Sequence, residues 1–419
     1  MLVLPSVLET DIDGYRRLAH NLIGNGVLGI GNVPSAYRPP LYPLVLAPFA
    51  LLAPTPERIG IAALHLLLGI ATVALTIHVG QALGLARGAL VAGLLVAVDP
   101  LLLYWGTQLM TETLHAFLLA LVLAVLIKYW KCGVQAAECG VDPTAGPLFA
   151  RWRSRLGLAV LGGTIAGLAA LCRPETWSFV VLVFTVLVAG AVMSRGRLGN
   201  RPSRWEVVAA PCVFLLTTWL ICLPWTIRNR RVLGVPVVTT THGGYTLLLA
   251  NNPVFYREVA GAVWEKPSSD DWHDALEQRL RGLGEIERDR ACYREAFSFI
   301  RAQPLDFLHA IPVRIVRLWR PVPHDIAWGV PRADLARYAM GIFYGAELIL
   351  MLAATGAGIT WRPPRLLLVA IVVSTTLVHA VYWSDMRMRA GVIPAVALLA
   401  ASALSRGSCV HKLIIYNKL

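Results

Sequence analysis

The sequence predicts an all-α polytopic membrane protein. Hydrophobic residues make up 56% of its 419 positions, the mean hydropathy is +0.60, and only 15% of the residues are charged. A soluble domain of this length carries a larger charged share. Long apolar segments alternate with short polar connectors, and a helix needs about 20 apolar residues to cross a bilayer. We therefore expect a bundle of helices embedded in lipid.

Nine segments have the length and composition expected of membrane spans. Basic residues are concentrated in every second connector, beginning with the connector after the first span. The positive-inside rule places those connectors in the cytoplasm and the others, including the long stretch 225–335, on the opposite side. This distribution explains the net charge of +13 as a topology signal and argues against nucleic-acid binding. The predicted spans are 57–80, 88–106, 111–130, 156–173, 174–194, 206–224, 336–358, 366–383 and 389–405.

The region before the first span is predicted to lie outside the cytoplasm. Its apolar run 40–54 is too short to cross and contains three prolines, which indicates an interfacial or re-entrant helix. Met1–Leu8 cannot cross either and lacks the features of a signal peptide, so we favour a start that lacks a preceding membrane helix. The predicted divisions are a first external loop with an interfacial helix (1–56), a six-helix membrane region (57–224), a long external loop (225–335), a three-helix membrane region (336–405) and a cytoplasmic basic tail (406–419).

Three acidic residues on the external side are candidates for catalysis: Asp11, Asp13 and Glu112. Charge at the edge of an apolar bundle is costly, so it usually serves a reaction or a ligand. A carboxylate near the membrane surface can take a proton from an incoming hydroxyl group. The alternatives are that Asp11 caps a helix and that Glu112, which opens a membrane helix, interacts with its dipole.

Arginines on the same side are candidates for binding phosphate, because one guanidinium group can donate two parallel hydrogen bonds to phosphate oxygens. Arg38 precedes a double proline that stiffens its backbone. The alternative interpretation is that its side chain only extends along the apolar surface to reach water. Arg228 follows the interfacial residue Trp225. Arg387 and Arg389 share a short outer connector, against the positive-inside trend, and we prefer a lipid-phosphate contact for this pair.

The long external loop contains polar residues suited to sugar binding. Gly243-Gly244 and Asn251-Asn252-Pro253 indicate ordered turns with amides able to bind sugar hydroxyls. His242 is a candidate contact for sugar or phosphate, although lone histidines more often satisfy local hydrogen bonds. The cysteines and histidines have neither disulfide nor metal-ligand spacing, so no metal site is expected.

The order of these motifs along almost the whole chain resembles the GT-C membrane glycosyltransferases. Within these enzymes, the chain is similar to the protein-mannosyltransferase and lipid A aminoarabinose-transferase group. No single element is specific, but the ordered set is. Its main elements are Asp11 with Tyr15 four residues later, Arg38-Pro39-Pro40-Leu41-Tyr42-Pro43, Thr111-Glu112, Pro224-Trp225-x-x-Arg228-Asn229, and Arg387-x-Arg389.

The resemblance implies a GT-C type helical bundle whose external loops carry short juxtamembrane helices. It also implies inverting transfer of a sugar from a polyprenyl-phosphate donor to an external acceptor, with no metal and no cofactor. Asp11 would be the base, chosen over Asp13 for its spacing to Tyr15, with Glu112 as a further catalytic residue. The donor phosphate would be bound by Arg38, Arg228, Arg387 and Arg389, and the substrate by Tyr15, Tyr42, His242, Asn251 and Asn252.

The expected partners are the lipid bilayer, the polyprenyl-phosphate sugar and an acceptor that is a protein, a lipid or a glycan. The expected location is the cell (inner) membrane, with multiple passes. A transporter or lipid-linked sugar flippase is the alternative function, and an inactive envelope-assembly scaffold is a third. Transport ranks second because the charges lie at the outer rim and the sequence has no internal repeat.

Overall fold

The computed structural model describes residues 8–138, 148–195, 204–260, 270–323, 333–361 and 364–404. Helices account for nearly all of its regular structure, and the two short strands described form one small antiparallel pair. The predicted cytoplasmic tail 406–419 lies outside the described residues.

The first external loop folds into small elements packed on the bundle. Helix α1 (Tyr15–Asn25) ends at Gly26, which has a left-handed backbone (φ 68°) and donates its N–H to Leu22 O. The apolar run 40–54 contains two short helices instead of one, because prolines, which lack a backbone N–H, interrupt it. The other elements of this loop are β1 (Gly29–Ile30), β2 (Val33–Pro34), α2 (Leu41–Leu46) and a 3₁₀ helix (Phe49–Leu51).

Each of the nine predicted spans corresponds to at least one apolar helix. Six apolar helical segments of the described residues are long enough to cross a membrane, and three more are shorter. The chain is a multi-pass integral membrane protein. The helices of the first membrane region are α3 (Pro54–Ala82), α4 (Arg87–Ala97), α5 (Pro100–Trp105), α6 (Glu112–Glu138), α7 (Leu148–Cys172), α8 (Thr176–Arg195) and α9 (Arg204–Leu233).

The long external loop is itself helical. It leads to a second membrane region, in which a 3₁₀ helix continues directly into the last helix. The loop helices are α10 (Gly243–Ala250), α11 (Pro253–Ala260), α12 (Asp270–Leu280), α13 (Glu285–Ala302) and α14 (Pro304–Trp319). The second membrane region contains α15 (Ala333–Gly356), α16 (Leu366–His379), a 3₁₀ helix (Met386–Val392) and α17 (Ile393–Leu404).

The prediction of one continuous span over 88–106 is wrong. Helix α4 stops at Ala97, and α5 begins afresh at Pro100. Asp99 caps the new helix, because its Oδ1 accepts a hydrogen bond from Leu102 N at 2.9 Å. Pro100 has no N–H to donate back into α4, so the dipeptide ends one helix and starts the next.

Helix α9 extends beyond its predicted end at residue 224. It continues through Pro211 and Pro224 to Leu233, so Trp225 and Arg228 lie on its last turns. Side chains of these turns hold the chain that follows: Trp225 Nε1 donates to Thr239 O at 2.8 Å, and Asn229 Nδ2 donates to Val237 O at 2.9 Å. These contacts stabilise the extra turns.

Glycines let neighbouring membrane helices approach closely. A Cβ at Gly163 of α7 would lie 2.4 Å from Phe214 O of α9, and one at Gly167 would lie 2.6 Å from the Ile221 Cβ. Small residues at helix contacts provide such packing in lipid. This packing fixes the C-terminal end of α7, which directly precedes Arg173.

The two ends of the bundle are distinct. At one end, Arg365 Nη2 donates to Leu83 O at 3.2 Å, which joins the connectors that precede α16 and follow α3. Helix α16 runs from that contact about 21 Å along its axis to His379 at the opposite end. The first loop and the 3₁₀ helix Met386–Val392 meet at this second end, as the alternation of connectors predicts.

Candidate active site

A cavity of about 730 Å³ lies at this second end of the bundle. The first loop, the connector between α7 and α8, α10, α13 and the chain after α16 all contribute to its walls. One part of its lining is charged and another is aromatic. The charged lining residues described are Asp13, Arg38, Arg173, Glu175 and Arg387, and the aromatic ones include Tyr15, Tyr37, Trp177, His242, Tyr245, Tyr293, Tyr382 and Trp383.

Asp13 joins the beginning and the end of the chain within the cavity. Its Oδ1 accepts a hydrogen bond from Arg38 Nη2 at 2.8 Å, and its Oδ2 accepts one from Arg387 Nη2 at 3.1 Å. Asp13 precedes Gly14, whose left-handed backbone (φ 75°) lets the chain turn into α1. The tight turn directs the Asp13 carboxylate toward two guanidinium groups.

Glu112 lies beneath the cavity and is fully buried. It is the first residue of α6, as predicted, and its Oε1 accepts hydrogen bonds from Arg387 Nε and, at 2.9 Å, from Arg173 Nη1. Arg173 Nε in turn donates to Glu175 Oε1 at 2.6 Å. The resulting ion-pair chain is Arg38–Asp13–Arg387–Glu112–Arg173–Glu175.

The ion-pair chain has three carboxylates and three guanidinium groups, so its formal charge is zero. Alternating signs offset much of the cost of burying these groups. The described hydrogen bonds of Arg38 use Nε and Nη2, and those of Arg387 also use Nε and Nη2. Because a guanidinium carries five N–H groups, both arginines keep donors for an anion that enters the cavity.

The aromatic wall of the cavity, Tyr37, His242, Tyr245, Tyr293 and Tyr382, faces the same space. The His242 ring centroid lies 4.5 Å from that of Tyr37 and 5.4 Å from that of Tyr245. Burial lowers the pKa of His242 to about 3, with the charge of Arg38 acting in the same direction, so this imidazole is neutral at physiological pH. Burial also raises the pKa of Tyr37 to about 12.

The glycine pair beside His242 permits close packing of α10 on α13. A Cβ at Gly243 would lie 2.1 Å from the Tyr293 hydroxyl, and one at Gly244 would lie 2.2 Å from Asp289 O. Gly244 N also donates to Asp289 Oδ1 at 2.7 Å. The two glycines therefore position the aromatic wall by letting the backbone of α10 approach α13 closely.

Several residues singled out from the sequence meet at the cavity. Asp13, Tyr15, Arg38, His242 and Arg387 line it. Glu112 contacts two of the lining arginines from below.

Asp11 is not among the described residues that line the cavity. Its Oδ2 accepts a hydrogen bond from Arg17 N at 2.9 Å, which caps the first turn of α1. This contact agrees with the alternative that Asp11 caps a helix. Asp13, and not Asp11, is the described aspartate that lines the cavity. The spacing to Tyr15 had instead favoured Asp11 as the base.

Arg228 and Arg389 bind backbone carbonyls and lie outside the described lining. Arg228 donates to Ser35 O at 2.9 Å and to Leu28 O at 2.7 Å. Arg389 is 3% exposed and donates to Leu318 O and Arg320 O at the end of α14. Both side chains tie loops to the bundle.

Tyr42, Asn251 and Asn252 are buried and also lie outside the described lining. The Tyr42 hydroxyl pairs with His65 Nε2 at 2.9 Å. Asn251 Nδ2 donates to backbone carbonyls of α10 and of the chain after α16. Asn252 Oδ1 accepts from two backbone N–H groups at the start of α11.

Arg173 and Glu175 belong to the site but were not singled out from the sequence. The predicted spans 156–173 and 174–194 left no connector between them, so both charges were counted as membrane residues. Two opposite charges on either side of Pro174, between two apolar segments, were the available signal. Among the described residues, no group of three or more His, Cys, Asp or Glu side chains is arranged to hold a metal ion.

No protein-family model matches this sequence, and no curated protein matches it either. Solved structures are similar in fold. An Archaeoglobus fulgidus oligosaccharyltransferase tethered with an acceptor peptide containing the NVT sequon gives a TM-score of 0.53 at 17% identity, covering 96% of this chain and 46% of that one. The archaeal oligosaccharyltransferase AglB from the same organism, in complex with an inhibitory peptide and a dolichol-phosphate, gives 0.53 at 18% identity, covering 96% and 47%.

ArnT from Cupriavidus metallidurans in the apo state is a more distant match, with a TM-score of 0.39 at 14% identity, covering 96% of this chain and 74% of that one. The chain spans about half the length of the oligosaccharyltransferase that it resembles. The GT-C type helical architecture expected from the order of motifs is confirmed.

Proposed function

We propose that this chain is an inverting glycosyltransferase that moves a sugar from a polyprenyl-phosphate donor to an acceptor. The observation that carries the proposal is a cavity at one end of an apolar bundle in which the Asp13 carboxylate lies between Arg38 and Arg387. The shared fold adds support, because one similar oligosaccharyltransferase structure contains a dolichol-phosphate. A lipid-phosphate donor fits a cavity that is lined in part by the ends of the membrane helices α8 and α16.

Asp13 would act on the acceptor. Its carboxylate accepts the proton as the acceptor atom attacks the anomeric carbon from the face opposite the phosphate. The new bond to the acceptor forms as the bond between the anomeric carbon and the phosphate oxygen breaks, so the configuration inverts. The Asp13 carboxylate is well placed for this role because it lines the cavity.

Arg38 and Arg387 would bind the departing phosphate. Negative charge grows on that group as the bond breaks, and fixed cations that need no reorganisation stabilise such a transition state. Glu112 fixes Arg387, and it shares Arg173 with Glu175. Glu112, Arg173 and Glu175 would therefore hold Arg387 in position and need not touch the substrate.

The same proposal assigns the cavity to the extracytoplasmic side of the inner membrane. The basic connector between α3 and α4 and the Arg365 region meet at the opposite end of the bundle. The positive-inside rule assigns that end to the cytoplasm. The long loop 225–335, whose helix α10 contributes to the cavity, would then lie outside.

The matched pair Asp13→Asn and Asp11→Asn tests the assignment of the base. Membranes containing the full chain are supplied with radiolabelled polyprenyl-phosphate sugars, and label in the acceptor fraction is measured. Loss of a general base should lower the rate about 10²- to 10⁴-fold in Asp13→Asn. Asp11→Asn should retain transfer, because its carboxylate caps α1 outside the cavity lining.

Equal transfer by both variants and the wild type would remove the aspartates from catalysis. Movement of labelled lipid across the bilayer without transfer of the sugar would instead favour the flippase alternative. Expression of each variant is compared in the same membranes, so that a drop in protein level is not read as a drop in rate.

A further inference from the structure

We propose that the transferred sugar is uncharged, and that this site discriminates against uronic acids and amino sugars. The inference rests on the proposed function and adds the chemical class of the donor sugar. It follows from how charge is distributed over the cavity.

Every charged side chain among the described lining residues belongs to the ion-pair chain. Each of the three carboxylates of that chain already accepts a hydrogen bond from an arginine. An ammonium group on a sugar would therefore have to share a carboxylate whose charge an arginine already offsets. A buried charge without such a partner is strongly disfavoured.

The charge of each lining arginine is likewise offset by a carboxylate. The phosphate of the donor would use the remaining donors of Arg38 and Arg387, which the cavity brings to the same carboxylate. A carboxylate on the sugar would compete with that phosphate for these two cations, because the third lining arginine, Arg173, is already held between Glu112 and Glu175. Every donor carries the same phosphate. A carboxylate on the sugar would be a second anion at these cations and would gain less binding free energy than the phosphate does.

The aromatic wall has the properties needed to bind an uncharged sugar. The rings of Tyr37 and Tyr245 both pack against that of His242, and the tyrosine hydroxyl groups can bind sugar hydroxyls. His242 contributes an uncharged imidazole. Aromatic faces pack well on the C–H faces of a neutral sugar ring.

Charges behind the wall are already paired or hydrogen-bonded. Arg288 and Glu277 form an exposed ion pair at 2.7 Å. Asp289 accepts the N–H of Gly244 at 2.7 Å. These groups have partners and are not among the described residues that line the cavity, so they do not supply a counter-ion for a charged sugar.

The test is equilibrium binding of radiolabelled donors to the full chain in lipid nanodiscs. The donors share one polyprenyl phosphate and carry glucose, mannose, galacturonic acid or 4-amino-arabinose, and the unsubstituted polyprenyl phosphate is the reference. We expect the two neutral donors to bind about tenfold or more tightly than either charged donor. A second measurement of sugar transfer from the same donors should rank them in the same order.

Substitution in the aromatic wall provides a positional check. Tyr245→Ala should weaken binding of the neutral donors while leaving binding of the unsubstituted polyprenyl phosphate unchanged. Tyr338→Ala is the matched control, because that tyrosine is 71% exposed on α15, outside the described lining of the cavity. It should change neither affinity.

Each outcome separates this inference from the proposed function. Preferred binding and transfer of a charged donor would overturn the inference and leave the glycosyltransferase function standing. Equal affinity for all four donors would overturn it as well. Failure of every donor, including the unsubstituted lipid phosphate, to bind folded protein would refute the proposed function and the inference together.

Discussion

Removal of Arg387 should damage both the stability of this protein and its reaction. The side chain donates to Asp13 and to Glu112, and its guanidinium carbon lies 4.7 Å from the centre of the Trp105 ring. Arg387→Ala leaves Asp13 with Arg38 alone and Glu112 with Arg173 alone. Glu112 is fully buried, so the loss of one of its two cations is the more costly.

The expected loss of stability follows from these contacts. Two charge-assisted hydrogen bonds contribute about 1.5–3 kcal/mol each, or about 3–6 kcal/mol together. Removing one partner of a buried ion pair typically costs about 3–5 kcal/mol, which agrees with that sum. The rate should fall by a further factor of about 10² to 10³, as when one oxyanion donor is removed from an enzyme.

Thermal unfolding of purified protein in detergent measures the first effect, and transfer of labelled sugar by the folded fraction measures the second. Arg279→Ala is the matched control. Arg279 forms an ion pair with Glu295 at 2.9 Å, but its side chain is 54% exposed. The free energy of unfolding should therefore change by about 0–1 kcal/mol in this control.

A double variant, Arg387→Met with Glu112→Gln, separates the two roles of Arg387. It removes the buried charge together with its partner, so much of the lost stability should return. The transfer rate should not return, because the cation that faces the phosphate is still missing. Recovery of both stability and transfer would show that Arg387 only supports the fold, and the phosphate assignment would fail.

Three further predictions concern residues around the site. Arg389→Ala should lower the unfolding temperature without raising the apparent KM for the lipid donor, because this arginine binds carbonyls of the chain at the end of α14. His242 stays neutral in the folded protein, so its contribution to stability is complete above pH 6.5 and is lost as the pH falls toward 3; between pH 7 and 5, wild type should lose about 2 kcal/mol more stability than His242→Gln. Gly244→Ala should destabilise the fold by about 1–3 kcal/mol, because its Cβ would collide with Asp289 O, whereas Gly345→Ala, with open space around it, should not.

Specific results would contradict each of these. A selective rise in donor KM for Arg389→Ala would return this residue to the phosphate site. Parallel pH profiles for wild type and His242→Gln in thermal unfolding would show that this imidazole is not kept neutral by the fold. Equal unfolding temperatures for the two glycine variants would show that α10 can move away from α13 without cost.

The apolar helices were predictable because hydropathy and charge alternate along the chain. The number of segments and the start of α6 at Glu112 followed from that pattern. The break at Asp99-Pro100 was missed because a search for long apolar windows averages over a single cap and a single proline. The extension of α9 past Pro224 was missed because contacts with distant backbone, such as Trp225 with Thr239, stabilise it.

The candidate site was predictable in part, for a similar reason. Arg38 and Arg387 stood out because each charge contradicts its apolar surroundings. The choice between Asp11 and Asp13 depended on the direction in which a turn at Gly14 sends each side chain, and sequence spacing does not fix that direction. Arg228 and Arg389 carry the same charge as the cavity arginines, but they donate to backbone carbonyls of other segments, whereas Arg38 and Arg387 pair with the Asp13 carboxylate.

The contact between Asp13 and Arg387 spans 374 positions of the chain. A ribosome adds Asp13 long before it adds Arg387, so no nascent fragment that stops before Arg387 contains this ion pair. Under the proposed function, the site is complete only after residue 387 has been synthesised and placed beside Asp13.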